Sequence, residues 1–186
     1  MPEKNQYRIK SKQDLKYYLA MDFEALYFAQ SVPWYIKIKD PIWKFQKLLR
    51  KCEYYKNSKK TNPFYCLLYF INKLRFHNLS IKLGFSIPEN VFGPGLRIAH
   101  YGSIIVNPEA CVGKNCTIHV GVNIGANKEK RDVPVIGDNV YIGPGAKLFG
   151  NIYIGNNTKI GANAVVTKSC EGNCTLVGVP AKELDR

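Results

Sequence analysis

The sequence predicts a mainly β protein with α structure, in which a helical N-terminal region precedes a β-solenoid of six-residue repeats. Two observations lead to this fold class. In the first 83 residues, apolar side chains recur at the three- and four-residue spacing of a helix face. From about residue 92 onward, branched apolar side chains recur every six positions instead. We therefore divide the chain into a basic helical region, 1–83, and a β-solenoid domain, 84–186, which ends in a short C-terminal tail.

The helical region carries three N-terminal cap signals. Ser11, followed by Asp14, is typical of a capping box that opens the first helix. Asp40 and Asn62 are each followed by a proline, which combines a capping side chain with a residue suited to the first helical turn. The region therefore predicts three helices.

The net charge of +13 is concentrated in this helical region. Residues 1–83 hold 17 Lys and Arg against 6 Asp and Glu, whereas 84–186 hold 10 against 8. Such asymmetry suggests an anionic partner. Because no nucleic-acid recognition motif is present, we do not expect nucleic acid. A membrane surface or an anionic substrate is the remaining partner, and a solvated basic face that binds nothing is the alternative.

The second half repeats one branched apolar position ten times. A six-residue period excludes an α-helix, whose faces repeat every 3.6 residues. Three short strands would make one triangular coil, with residues 18 apart stacked about 4.8 Å from each other. The branched residue would point into the prism, and Gly or Asn would permit the turn at each corner. A double step, residues 125–135, predicts a polar loop that projects from the prism. The repeated positions are Val106, Val112, Ile118, Ile124, Ile136, Ile142, Leu148, Ile154, Ile160 and Val166.

Three stretches of this half resemble the left-handed parallel β-helix acyltransferases, in particular the serine O-acetyltransferase-like branch. They read "GPGLRIAHYGSIIVNPEACVGKN", "VPVIGDNVYIGPGAKLFGNIYIGNNTKIGANAVVTKS" and "LVGVPAKEL". The resemblance implies a left-handed β-helix and the transfer of an acetyl group from acetyl-CoA to a hydroxyl. It also implies a homotrimer with active sites between neighbouring prisms. A non-catalytic scaffold of the same fold is the competing class.

The resemblance makes His100, in "IAHYG", the catalytic histidine. Imidazole suits this role because a hydroxyl must lose its proton as it attacks a thioester at neutral pH. We expect backbone N–H groups near Gly102 and Gly121 to bind the oxyanion. If two additional residues bulge near Ser103, His119 would lie beside His100 and orient it or bind the acceptor. An exposed corner histidine is the alternative for His119.

The resemblance also implies where CoA binds. In the family, the acyl end of the site lies where the polar loop leaves the prism, and the pantetheine arm follows the groove between coils. Basic side chains near the C-terminus are candidates for the CoA phosphates, with plain surface lysines as the alternative. The matching positions, in that order, are Gly125 and Ala126, Pro144 and Ala162, and Lys168 and Lys182.

Two positions depart from the serine acetyltransferases. Ala99 stands where an aspartate precedes the catalytic histidine, and Val133 replaces a second, substrate-facing histidine. The nearest candidates for the aspartate that orients the catalytic imidazole are Ser86 and Glu89. These losses favour a sugar hydroxyl of a capsular, exopolysaccharide or lipid-linked glycan as the acceptor. Free L-serine is the alternative.

The sequence also suggests a cytoplasmic protein, with peripheral contact to the inner face of the membrane as an extension. The first twenty residues are polar, and the longest apolar run, 64–71, is too short to span a bilayer. On that basis we expect the six cysteines to be free thiols. Cys170 and Cys174 have a spacing that could hold a metal, but no second pair accompanies them, so we expect no metal site.

Overall fold

The computed structural model describes residues 6–28, 32–58, 63–127 and 132–184. Within these ranges, a group of helices precedes a prism built from short parallel strands. The helices are α1 (Lys12–Tyr27), α2 (Trp34–Lys39), α3 (Pro41–Ser58) and α4 (Phe64–Leu83).

The helices begin where the cap signals place them. The Ser11 hydroxyl accepts the Asp14 N–H at 3.0 Å, and the Asp14 carboxylate accepts the Ser11 N–H at 2.9 Å, which completes a capping box. Asp40 Oδ1 accepts the N–H groups of the second and third residues beyond it at 2.8 and 3.2 Å. The Asn62 signal lies outside the described residues. Helix α2 was not predicted, because six residues are too few to display a helical period.

The prism consists of three parallel sheets, one for each wall. Their strand orders are β1-β3-β6-β9-β12, β10-β7-β4 and β14-β13-β11-β8-β5-β2, and only the β13–β14 pair is antiparallel. The strands are β1 (Phe85–Ser86), β2 (Arg97–Ile98), β3 (Ile104–Val106), β4 (Cys111–Val112), β5 (Thr117–Ile118), β6 (Asn123–Gly125), β7 (Val135–Ile136), β8 (Tyr141–Ile142), β9 (Lys147–Phe149), β10 (Tyr153–Ile154), β11 (Lys159–Ile160), β12 (Val165–Val166), β13 (Thr175–Val177) and β14 (Lys182–Glu183).

The repeated branched positions fill the interior of the prism, as the six-residue period predicts. On one wall, Ile98, Ile118, Ile142 and Ile160 pair in successive strands, and each has no exposed surface. A parallel β-helix built from six-residue steps is therefore confirmed as the architecture of the second half.

One corner of the prism is an asparagine ladder. Asn115, Asn139, Asn157 and Asn173 all have φ between 53° and 57°, the left-handed region that asparagine tolerates. Each side-chain amide in this row donates to the next asparagine Oδ1, at distances of 2.9 to 3.0 Å. The prediction that Gly or Asn occupies the corners holds here.

A buried charge network joins the helices to the first coil of the prism. The guanidinium of Arg50 donates to the Asp22 carboxylate at 2.7 and 3.2 Å and to Glu53 Oε2 at 3.0 Å. It also donates to the carbonyls of Phe92 and Gly93, at 2.9 and 2.7 Å. Burial alone would lower the pKa of Arg50, but the two carboxylates raise it above its ordinary value, so the side chain stays charged.

Asp22 continues this network into the strand that leads to His100. Its Oδ1 accepts the N–H groups of Gly95 and Leu96, both at 2.9 Å, immediately before β2. Gln46 of α3 donates to the Leu96 carbonyl. The helical region therefore fixes the backbone a few residues upstream of the catalytic candidate.

Candidate active site

His100 and His119 lie together on the outside of the prism, just after β2 and β5. Their ring centroids are 6.0 Å apart, with 53° between the ring planes. His100 is exposed, and His119 is partly buried. The two histidines come together because Ile98 pairs with Ile118. His100 follows Ile98 by two residues, and His119 follows Ile118 by one.

A two-residue bulge produces this juxtaposition, as expected. Ile98 and Ile118 pair although they are 20 apart in sequence, whereas Ile105 pairs with Asn123, 18 residues on. The two additional residues therefore lie within 99–104. Gly102, in this segment, has φ of 130°, a conformation that side chains other than glycine rarely adopt.

Two of the N–H groups in the segments expected to bind the oxyanion are already bonded within the fold. The N–H of Gly102 donates to the carbonyl of Leu83 at 2.8 Å, and that of Gly121 donates to the carbonyl of Ser103 at 2.6 Å. Binding of the oxyanion by other N–H groups near these glycines stays a prediction. The Gly121 carbonyl in turn accepts a hydrogen bond from the Lys147 side chain.

His119 is held as a neutral imidazole. Burial lowers its pKa, and the positive charge of Arg97 and the proximity of His100 lower it further. Its ring packs edge-on against Tyr141, with centroids 5.1 Å apart. Its Nε2 atom is buried, and no residue that the structure describes forms a hydrogen bond to it. In the single chain this nitrogen is therefore without a described partner and also shielded from solvent.

Arg97 is a candidate that sequence reasoning missed. It lies on the outer side of β2, three residues before His100, with its guanidinium 4.3 Å from the ring centre of Phe28. The sequence contained a signal for Arg97. Ile98 points into the prism, and because side chains alternate along a strand, the preceding residue, Arg97, points outward. It supplies a positive charge beside the two histidines.

The candidate pantetheine positions lie on the same edge of the prism as His100. His100 lies two residues after Ile98. Pro144 and Ala162 likewise lie two residues after Ile142 and Ile160, which stack in the same column as Ile98. Both Pro144 and Ala162 are exposed. Because successive coils are about 4.8 Å apart, Pro144 lies about 10 Å along this edge from His100.

The other four candidates for CoA binding are Gly125, Ala126, Lys168 and Lys182. Gly125 ends β6, where a Cβ atom would be 2.6 Å from the ring of Phe149, so only glycine fits. Ala126 follows it and packs partly against the core. Lys168 and Lys182 are exposed, Lys182 on the final strand. The roles of all six candidates stay predictions.

Glu89 is bound by the helical region. Its carboxylate pairs with Lys73 and Lys56 and accepts a hydrogen bond from Tyr69. Burial would raise the pKa of Glu89, but the two lysines hold it below its ordinary value. Ser86 is exposed on β1. The contacts of Glu89 therefore serve the packing of α3 and α4 against the prism.

A cleft of about 520 Å³ opens between the end of α4 and the bulge. It is lined by His77, Ser80 and Ile81 from the helix and by Ser103 and Ile105 from the prism. His77 therefore lies on the helical wall of this cleft, across from the bulge.

None of the six cysteines, all within the described ranges, forms a disulfide, and the described residues contain no group of three or more His, Cys, Asp or Glu that could hold a metal ion. Cys170 is buried and Cys174 partly buried, with Thr158 Oγ1 at 3.6 and 4.0 Å from their sulfur atoms.

Comparison with known proteins shows what the chain is similar to. Residues 134–168 match the model of the bacterial transferase hexapeptide (six repeats). The chain is thus similar to hexapeptide-repeat transferases and, among them, to serine acetyltransferases. It is 35% identical over 119 residues to the serine acetyltransferase of Synechococcus elongatus, covering 62% of this chain and 49% of that protein. It is 41% identical over 95 residues to that of Staphylococcus aureus, covering 50% and 45%.

Solved structures extend the similarity across the helical region. The serine acetyltransferase of Brucella abortus superimposes with a TM-score of 0.71 at 28% identity, covering 93% of this chain and 70% of that one. The Neisseria gonorrhoeae enzyme in complex with serine gives a TM-score of 0.67 at 27% identity, covering 94% and 71%. The chain nevertheless spans about half the length of the curated relatives it matches.

Proposed function

We propose that this chain is an acetyl-CoA-dependent O-acetyltransferase with His100 as the general base. The observation that carries the proposal is the exposed histidine on the prism wall, paired with a second imidazole at 6.0 Å. The sequence also supports the proposal, because the stretch that contains His100 resembles the serine acetyltransferases. The proposed enzyme uses acetyl-CoA as its co-substrate.

In the proposed reaction, the acceptor hydroxyl oxygen attacks the acetyl carbonyl carbon while His100 removes the hydroxyl proton. The C–S bond of the thioester then breaks, and the CoA sulfur leaves and takes up a proton. His119, kept neutral by its surroundings, does not repel the imidazolium that forms on His100. With its ring centroid 6.0 Å from that of His100, His119 either orients His100 or binds the acceptor through its exposed edge.

We propose L-serine as the first acceptor to test. The curated relatives are named serine acetyltransferases, and one similar solved structure is named as a complex with serine. On this point the comparisons favour free L-serine, the alternative acceptor predicted from the sequence, over the glycan.

A sugar hydroxyl of a glycan is the second candidate. Two observations favour it. Val133, where the family resemblance expects a substrate-facing histidine, is an apolar side chain with only 7% of its surface exposed. Ala99, where that resemblance expects an aspartate, carries no polar side chain at all. Neither position can bind the amino or carboxyl group of serine through its side chain.

We also propose that the active unit is a homotrimer, as the family resemblance implies. The surface around His100 is consistent with an interface, because Tyr101 and Ile105 leave 67% and 47% of their surfaces exposed. A neighbouring prism would bury these side chains and complete the walls around the two histidines.

The test of the reaction is CoA thiol release from acetyl-CoA, with His100→Ala compared against the wild type. We expect the activity to fall by about 10²- to 10⁴-fold, the usual contribution of a general base. His77→Ala removes a histidine from α4 and is the matched control, with activity close to the wild type. Equal activity of His100→Ala and the wild type would refute the assignment of the base.

The test of the acceptor is a panel of L-serine and free or lipid-linked sugars in the same assay, with the acetylated product measured by mass spectrometry. O-Acetylserine as the main product would establish the first candidate. Thiol release only with sugar acceptors would establish the second. No binding of CoA at millimolar concentration would refute both and favour a non-catalytic scaffold.

A further inference from the structure

The outer face of α4 is apolar and exposed. Its exposed side chains recur at three-, four- and seven-residue spacing, so they share one side of the helix. They retain between 38% and 68% of their surface. An exposed apolar patch of this kind, interrupted by the polar residues His77 and Asn78 before Ile81, is typical of a site of contact with another body. The residues are Leu67, Phe70, Ile71, Leu74 and Ile81.

This face is not needed to pack the helix onto the protein. The opposite side of α4 already provides the buried contacts, including Phe76, which stacks on Phe45 of α3 with ring centroids 5.0 Å apart. Phe76 and Leu83 are 4% and 8% exposed. The outer apolar side chains are therefore additional to those that build the fold.

A cationic cleft of about 280 Å³ lies between α3 and α4. Four of its lining side chains are basic, two are leucines and none is acidic. Burial lowers the pKa of Lys47 within it, and the neighbouring charges of Lys51 and Lys44 lower it further. An anion among these cations would relieve their mutual repulsion. The lining residues are Lys44, Lys47, Leu48, Lys51, Arg75 and Leu79.

The cleft and the apolar face adjoin each other on α4. Arg75 of the cleft directly follows Leu74 of the face, and Leu79 of the cleft is two residues before Ile81. The helix contains no Asp or Glu along its twenty residues. An apolar face bordered by cations is the pattern of a helix that lies in the boundary between lipid headgroups and acyl chains.

We propose that the outer face of α4 and the adjoining cationic cleft bind the surface of an anionic phospholipid bilayer. The apolar side chains enter the headgroup boundary, and the Lys and Arg side chains contact the lipid phosphates. Among the described residues, no helix is long and apolar enough to cross a membrane. A second copy of the chain is disfavoured as the occupant, because α4 against α4 would bring two cationic clefts close together.

Membrane docking would place the candidate active site beside the lipid surface. Ile81 belongs both to the apolar face and to the wall of the 520 Å³ cleft, whose other wall carries Ser103 of the bulge. The docking surface does not depend on the proposed acetyl transfer, since none of its basic or apolar groups takes part in that chemistry.

The test is sedimentation of the full chain with vesicles, either of phosphatidylcholine alone or of phosphatidylcholine mixed with phosphatidylglycerol. We expect the protein to bind the anionic vesicles and to bind them less at about 1 M salt than at about 0.1 M. Phe70→Ser combined with Leu74→Ser should weaken binding more than tenfold, because each side chain loses about tenfold in apolar transfer. Lys47→Glu combined with Lys51→Glu should weaken it by at least about fivefold per lysine.

The matched control for charge is Lys114→Glu combined with Lys159→Glu, on exposed prism positions, and the control for apolar surface is Leu184→Ser. Both controls should bind like the wild type, and circular dichroism would verify that all variants are folded. Absence of binding to anionic vesicles would overturn the proposal. So would equal losses in the test and control variants. A drop in oligomer mass by light scattering in the Phe70 and Leu74 variant, without vesicle binding by the wild type, would assign the face to a second copy instead.

Discussion

The prism and the helical region are stabilised in different ways. In the prism, the same small contact recurs on each coil: a branched residue inside and a Gly or Asn at the corner. At the junction with the helical region, an apolar core shared by both parts surrounds one buried charged cluster, in which Arg50 joins Asp22 and Glu53 to the backbone of the first coil. The prism therefore repeats one contact, whereas the junction contains a charged cluster whose groups depend on each other.

The largest expected effect is the loss of Arg50. In Arg50→Met, the carboxylates of Asp22 and Glu53 would be left buried without their cation, and we expect the free energy of unfolding to fall by about 3–5 kcal/mol. Urea denaturation followed by circular dichroism would measure it. Lys56→Met is the matched control: its partner Glu89 keeps Lys73, and its own side chain is 40% exposed, so the loss should stay below about 1 kcal/mol. Equal losses of unfolding free energy in the two variants would show that the buried Arg50 cluster contributes no more than an exposed ion pair.

A smaller effect is expected at a corner of the prism. Asn139→Ala places a Cβ-bearing residue without a polar side chain at φ 57° and removes two ladder hydrogen bonds. We expect a loss of about 1–2 kcal/mol in the free energy of unfolding, mostly from the left-handed backbone. Asn139→Gly loses the same hydrogen bonds but keeps the conformation, so it should cost less than Asn139→Ala. The reverse order in urea denaturation would mean that the ladder, rather than the backbone, dominates.

The smallest effect concerns pH. Because the folded state lowers the pKa of His119, the unfolded chain binds its proton at a higher pH than the folded chain does. The free energy of unfolding should therefore fall as the pH drops below about 6.5, the ordinary histidine value. His119→Asn should reduce this fall, measured by urea denaturation at about pH 7.5 and about pH 5.5. His77→Asn should retain it, and an unchanged slope in His119→Asn would contradict the assignment.

Much of the prism could be predicted from the sequence because its information is local. Each six-residue step repeats the same inward apolar residue and the same corner type, so ten repetitions agree on one register. The bulge near Ser103 was also predictable, because a spacing of 20 between Ile98 and Ile118 leaves two residues over. The proximity of His100 and His119 followed from it.

The rest depended on contacts between residues far apart in the chain. The sequence does not indicate that the N–H groups of Gly102 and Gly121 are already bonded to Leu83 and Ser103, since those partners are set by where α4 meets the prism. Nor does it show that Arg97 stacks on Phe28 beside the histidines. Such contacts depend on the relative placement of whole elements, which no local period encodes.

By itself, the sequence determined the six-residue coil, its corners and the place of His100 on an outer edge, because a short period fixes which side chains point inward. Only the tertiary structure decided which backbone donors are free, that His119 is held neutral, and that α4 keeps an apolar face outside the core. The physical reason is that hydrogen-bond satisfaction, burial and charge are properties of the packed assembly of elements, whereas periodicity is a property of a single segment.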